Sequence, residues 1–224
     1  MIADQIISVF QQNANPNNAK PMKAYMKDRF EFFGIKSPQR KALSKLYLSQ
    51  AKKLEKEEVL QIVKTLWTRP ERELHYVAQE FLFRAKNHIN EKKDIEFLQW
   101  MAVNNSWWDT IDFIAPKLMK IYFEKFPEKR NQKVDEWIAS NNIWLQRCAI
   151  LLHLHQKEKV DLDYMFETIL RLNHTSEFFI NKAIGWVLRE HAKREPQKII
   201  DFVDQHKKSL STLSVKEALK HHPR

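Results

Sequence analysis

Apolar residues recur three and four positions apart along this chain, as at Val59, Ile62, Val63 and Leu66. That spacing marks one face of an α-helix. Alternation of apolar and polar residues is nowhere sustained, so the pattern predicts an all-α chain without a sheet. Local signals predict where helices start. Ser37-Pro38 sets a capping hydroxyl ahead of a proline at the first helical position. Asn13 to Lys20 is polar and broken by Pro16, which predicts a loop. The charge run from Lys52 to Glu58 reads as the solvated start of a helix. Residues Met22 to Arg29 predict a basic amphipathic helix with Tyr25 and Arg29 on one face.

A longer period lies over this pattern. A bulky residue followed four later by alanine occurs at Leu74/Ala78, Ile111/Ala115, Leu145/Ala149 and Phe179/Ala183, with a weaker copy at Ser214/Ala218. The alanines are 37, 34, 34 and 35 residues apart by subtraction. Two helices of ~14 residues and two short turns fill such a period. Units of this kind stack into an α-solenoid, whose concave side is the natural binding face. A plain helix bundle with spaced alanines is the alternative. The expectation is one repeat domain over residues 1–224, its groove lined with basic residues.

Composition narrows the function. The two glycines, Gly34 and Gly185, cannot build a phosphate-cradling Gly-rich loop, which disfavours P-loop and dinucleotide-binding folds. Lys+Arg 38 against Asp+Glu 28 leaves a net charge of +10, a weak pointer toward nucleic acid. The single Cys148 precludes an intramolecular disulfide and suits a reducing cytoplasm. No apolar stretch is long enough to span a membrane, and the first residues lack the pattern of a signal peptide. The nine histidines have no metal-ligand spacing: His153 and His155 point to different faces, and His221 and His222 lie in the tail. We therefore expect no metal, no cofactor and a monomer.

The candidate chemistry sits on successive predicted helices. Trp108 and Asp112 are four apart and share a helix face, whereas Asp109 does not. Arg147 follows Trp144 by three, and Arg189 follows Trp186 by three. An aromatic plate, an anion and two arginines suit a cationic purine on a nucleic-acid backbone. Trp107, next to Trp108, points about 100° away, so one indole can be buried and the other open. Trp67, Trp100 and Trp137 read as packing. Pro116 cannot bond back to the Asp112 carbonyl, which predicts a kink that tilts Asp112 into the groove. Plainer readings stand beside these. The tryptophans can be core, Pro116 can merely set curvature, Tyr25 can pack under its own turn, and Arg147 can be a structural partner of Asp112. Arg147 can also do both, orienting the carboxylate and reaching a phosphate.

Four runs, Pro21–Lys27, Ser106–Asp112, Asn142–Arg147 and Lys182–Glu190, give the chain a family likeness. It resembles the AlkD family of DNA alkylation-repair glycosylases, from about Pro21 to about Lys220. The resemblance implies a HEAT-like solenoid that takes duplex DNA containing alkylated purines. It implies Asp112 as the catalytic carboxylate, Trp108 and Trp186 as contacts to the lesion-bearing nucleotide, and Arg147 as the arginine accompanying Asp112 on the backbone. It also implies Tyr25 near the opposite strand and Arg189 as a backbone contact. Lys27 and Arg29, beside Tyr25, complete the expected DNA-binding set. His155 stands where some relatives carry a lysine, which leaves that phosphate contact in doubt. The tail ends early, at His221-His222-Pro223-Arg224, which predicts a short last helix. A branch of the superfamily with weak or no glycosylase activity lacks the N-terminal DNA-binding helix, and residues 21–29 supply it here. The implied reaction is hydrolysis of the N-glycosidic bond of 3-methyladenine or 7-methylguanine. The alternatives are a non-catalytic binder of DNA structure and a protein-interaction scaffold.

Overall fold

The structure is a computed structural model that describes residues 1–156 and 160–221. His222, Pro223 and Arg224 of the expected tail lie outside the described residues. The regular elements are helical throughout the described residues, in the arrangement expected of an α-solenoid of HEAT-like repeats. None of the helices described is long and apolar enough to cross a membrane. The chain forms two compact units, Met1–Asp94 and Ile95–Arg224.

The first unit holds α1 (Ile2–Gln12), α2 (Pro16–Tyr25), α3 (Ser37–Gln50), α4 (Lys56–Trp67) and α5 (Arg72–Arg84). The apolar face of α4 is fully covered: Val59, Val63, Leu66 and Trp67 are 0% exposed, opposite Leu74, Val77, Ala78 and Phe81 of α5. The charge run before α4 starts that helix as expected, with Glu55 and Glu58 forming a capping box. Two other starts differ. Pro16 opens α2 rather than breaking the chain, because Asn15 caps the helix and a proline in the first turn lacks only an N–H that would go unbonded. Ser37 is the first residue of α3 and Lys36 the cap, so the serine hydroxyl is not the capping group.

The segment after α2 is tied to α5 by buried charge. Glu73 accepts from the backbone N–H groups of Phe33, Gly34 and Ile35 at 3.2, 2.9 and 3.0 Å. Gly34 has φ +84°, and a Cβ there would fall 2.0 Å from the Asn15 carbonyl oxygen, so only glycine fits. Arg72, wholly buried, lies 3.9 Å from the centroid of the Phe30 ring and donates to His75 Nδ1 at 3.1 Å. His75 Nε2 donates to the Arg69 carbonyl at 2.7 Å, which fixes the neutral tautomer with its proton on Nε2.

The second unit takes up the rest of α6 (Asp94–Val103). There follow α7 (Trp108–Phe113), a π-helical segment (Ile114–Met119), α8 (Lys120–Lys125), α9 (Arg130–Ala139), α10 (Ile143–Leu151), α11 (Leu162–Leu172), α12 (Phe178–Ala192), α13 (Pro196–Gln205) and α14 (Thr212–Ala218). Helices α7, α10, α12 and α14 are successive neighbours. The repeat alanines explain why: Ala115, Ala149, Ala183 and Ala218 are all 0% exposed and let these helices approach closely. Side-chain bonds follow the same period. Asp112–Arg147, Lys120–His155, His155–Glu190 and Lys182–Glu217 each join residues 35 apart.

Candidate active site

The start of α7 is built from an extended residue followed by a helix. Asn105 has φ +51°, Trp107 has φ −158° and ψ 163°, and Trp108 begins the helix. This turn separates the two indoles. Trp107 goes inward at 8% exposure, with ring centroids 5.5 Å from Trp144 and 5.0 Å from Phe179. Trp108 remains half-buried. Trp67 and Trp137 are core, and Trp100 stacks on Phe97 at 5.5 Å.

Asp112 lies one turn beyond Trp108, on α7. Pro116 does not simply kink the helix after it. Residues Ile114–Met119 widen into a π-helix, in which the Lys120 N–H reaches the carbonyl of Ala115, five residues back. A widened turn absorbs the donor that proline lacks, and such segments are frequent at functional sites.

Arg147, on α10, reaches Asp112 from the neighbouring helix. Its Nε donates to Asp112 Oδ1 at 2.9 Å and its Nη2 to the same oxygen at 2.7 Å. Its Nη1 donates to the Phe179 carbonyl at the start of α12. One guanidinium thus ties α7, α10 and α12 together. Its side chain is 3% exposed, against 20% for Asp112. In this structure Arg147 faces protein rather than solvent, so of its two expected roles the geometry supplies that of holding Asp112. Both of its bonds to the carboxylate go to Oδ1, and among the described residues Oδ2 accepts no hydrogen bond. Burial raises the Asp112 carboxyl above the usual carboxylate range; Arg147 opposes this and the nearby Asp109 charge adds to it. The neighbouring Cys148 is fully buried, which pushes its thiol far up and denies it a nucleophilic role.

Trp186 and Arg189 lie on α12, three residues apart, and both are partly exposed. Arg189 does not stand alone: its Nη1 is ion-paired with Glu217 of α14. His155 is exposed, with φ +58°; its N–H donates to Glu190 at 2.7 Å and its carbonyl accepts from Lys120 at 2.9 Å. In the first unit Tyr25, the last residue of α2, is 70% exposed. Lys27 and Asp28 have φ +58° and +56°, so the helix stops before Arg29. Tyr25 and Arg29 therefore do not share a helix face, although Lys27 and Arg29 are both exposed beside Tyr25.

These arrangements can be set beside known proteins. A family described as "DNA alkylation repair enzyme" matches residues 6–222. The chain belongs to this family. Among solved structures, a protein from Enterococcus faecalis described as a predicted DNA alkylation repair enzyme is 31% identical, with a TM-score of 0.86. The match covers 94% of this chain and 97% of that one. None of the curated proteins matches.

Membership in the DNA alkylation repair family leaves some site features that local spacing misses. The Phe179 carbonyl is a backbone partner, which no side-chain pattern reveals. The aromatic trio of buried Trp107 with the partly exposed Trp144 and Phe179 consists of residues at the starts of three helices. The Lys182–Glu217 pair had an available signal, since its separation of 35 equals that of Asp112 and Arg147.

Proposed function

We propose that this alkylation-repair protein is a DNA glycosylase that hydrolyses the N-glycosidic bond of cationic N3- or N7-alkylated purines in duplex DNA. Asp112 is its catalytic carboxylate. The observation that carries this reading is the asymmetry of Asp112. One oxygen is held twice by a buried arginine, while the other accepts no hydrogen bond among the described residues, and the half-buried Trp108 stands one turn earlier on the same helix.

An alkylated purine of this kind already carries positive charge, so the base departs neutral and no general acid is required. The sugar becomes an oxocarbenium ion. A carboxylate oxygen ~4 Å away stabilises it by about 4 kcal/mol at an effective dielectric of 20, roughly a thousandfold in rate. The Arg147 charge, ~7 Å off, opposes this by about 2 kcal/mol at the same dielectric. Arg147 keeps the carboxylate ionised and aimed at the cost of about half its attraction. Asp112 Oδ2, which accepts no hydrogen bond among the described residues, can also orient the attacking water. Trp108 and Trp186 offer indole faces to the cationic nucleotide. Tyr25, Lys27, Arg29 and Arg189 supply contacts to the backbone, Arg189 only in competition with Glu217.

The test is release of free base from defined duplexes. We expect wild type to release 7-methylguanine and to leave hypoxanthine, a neutral base that needs protonation, in place. Failure to release 7-methylguanine, or efficient release of hypoxanthine, contradicts the reading.

A further inference from the structure

Four positions at the repeat spacing carry charge: Asp112, Arg147, Lys182 and Glu217. Asp112 pairs with Arg147, and one repeat further on Lys182 pairs with Glu217, with the order of charges reversed. The two pairs differ in what the carboxylate faces. Asp112 is held through one oxygen by one arginine. Glu217 is held through both: Oε1 takes Lys182 and Oε2 takes Arg189. The Arg189 Nη1 also reaches the Glu217 carbonyl at 3.4 Å.

Lys182, Trp186 and Arg189 lie at i, i+4 and i+7 on α12 and form one stripe, each partly exposed. Lys182 is 41% exposed, Arg189 22% and Glu217 15%. The open face of α12 thus carries two cations on either side of an indole, with a carboxylate set between the cations from the next helix.

The approach of α14 that brings Glu217 there is built into the backbone. A Cβ on Gly185 would fall 2.4 Å from the Glu217 Cβ and 2.9 Å from the Ser214 carbonyl oxygen. Only glycine permits that distance. The buried Ser214 hydroxyl donates to the Asn181 carbonyl at 2.9 Å and fixes α14 in rotation. Lys182, then Arg189, hold the Glu217 carboxyl below the usual range despite partial burial, so it is an anion at neutral pH.

We propose that Glu217 is a specificity-determining residue, an internal anion that occupies Lys182 and Arg189 and so limits the protein's affinity for undamaged DNA backbone. The inference rests on the nucleic-acid reading above. Phosphates bind by neutralising lysine and arginine, and each neutralised phosphate contributes to sequence-independent affinity. A carboxylate paired to both cations offsets one of their two charges and holds both side chains away from a phosphate. The duplex must then be held by the remaining contacts, among them those that depend on a cationic nucleotide.

The experiment measures binding to an unmodified duplex as a function of salt. Glu217→Gln keeps the shape of the side chain and removes its charge. It should tighten binding about tenfold near 50 mM salt and steepen the slope of log K against log salt by about 0.9, one further unit of positive charge offered to phosphate. Lys182→Gln with Arg189→Gln, added to Glu217→Gln, should erase that gain. Both proteins in that comparison carry Glu217→Gln, so it stands even if the substitution disturbs α14. Unchanged affinity and slope in a folded Glu217→Gln protein overturn the inference. So does a Glu217→Gln gain that survives removal of the two cations. Wild type that binds no duplex at low salt contradicts the nucleic-acid reading itself, a different outcome from wild type that binds while Glu217→Gln binds no tighter.

Discussion

Asp112 is a carboxylate held between two demands, burial and charge. Burial raises its pKa, so it ionises only above the ordinary carboxylate range. If its anion stabilises the departing sugar, excision should rise with pH through that raised value and then level off. A rate profile for 7-methylguanine release checks this, and a profile with no acidic limb contradicts it. The sign for stability is opposite. The folded chain keeps a proton on Asp112 above 3.8, where the unfolded chain has lost it, so this group's contribution falls as pH rises through that interval. His153 behaves in the reverse sense. It is fully buried, accepts from Arg130 at 3.4 Å, and burial followed by the Arg130 charge holds it well below 6.5. The unfolded chain therefore takes up the proton first, and His153 costs stability as pH falls below 6.5. Melting temperatures of wild type and His153→Gln between pH 7 and 5 should converge as pH falls. Arg147 is the residue on which Asp112 depends most. Arg147→Gln leaves Asp112 half-buried without its counter-charge and should cost about 3 kcal/mol in denaturant unfolding, as removal of one partner of a buried pair does. Loss of less than about 1 kcal/mol would mean that the pair contributes little.

At the scale of elements, the spacing between helices matters more than any one helix. Gly185 permits the close approach of α14 to α12, and Gly185→Ala must push α14 away. We expect a loss of about 1–3 kcal/mol, the ordinary cost of overpacking, read as a lower melting temperature. An unchanged melting temperature would mean that α14 gives way freely. The same scale shows what was legible beforehand. The 3.6-residue pattern and the alanine period marked the helices and their stacking, because both follow from burial on one face. Trp108 and Asp112 were legible for the same reason, being one turn apart on one helix. Helix ends were less so. Lys27 and Asp28 adopt left-handed backbone, and apolar spacing carries no sign of that, so the helix expected to run to Arg29 stops at Tyr25. Pro16 looked like a breaker because its effect depends on whether it stands inside a helix or in its first turn. Pro116 pointed to distortion at the right place but not to a π-turn as its form. The burial of Arg147 was not legible, since it depends on α12 supplying a backbone carbonyl from 32 residues away.

For the whole molecule, a net charge of +10 predicts that duplex binding weakens steeply with salt, since phosphates rather than bases supply most contacts. On the proposed reading cations serve binding and one carboxylate serves catalysis, so the two should nonetheless separate. A DNA-structure binder gains nothing from Asp112; a glycosylase depends on it. The decisive measurement is therefore single-turnover release of 7-methylguanine by Asp112→Asn, with affinity for the same duplex measured in parallel. The substitution removes the attraction of the anion and leaves the Arg147 charge unopposed beside the forming oxocarbenium. Excision should fall by about a hundredfold or more, while affinity stays the same or rises slightly. An Asp112→Asn protein that is folded and excises as fast as wild type would contradict the account.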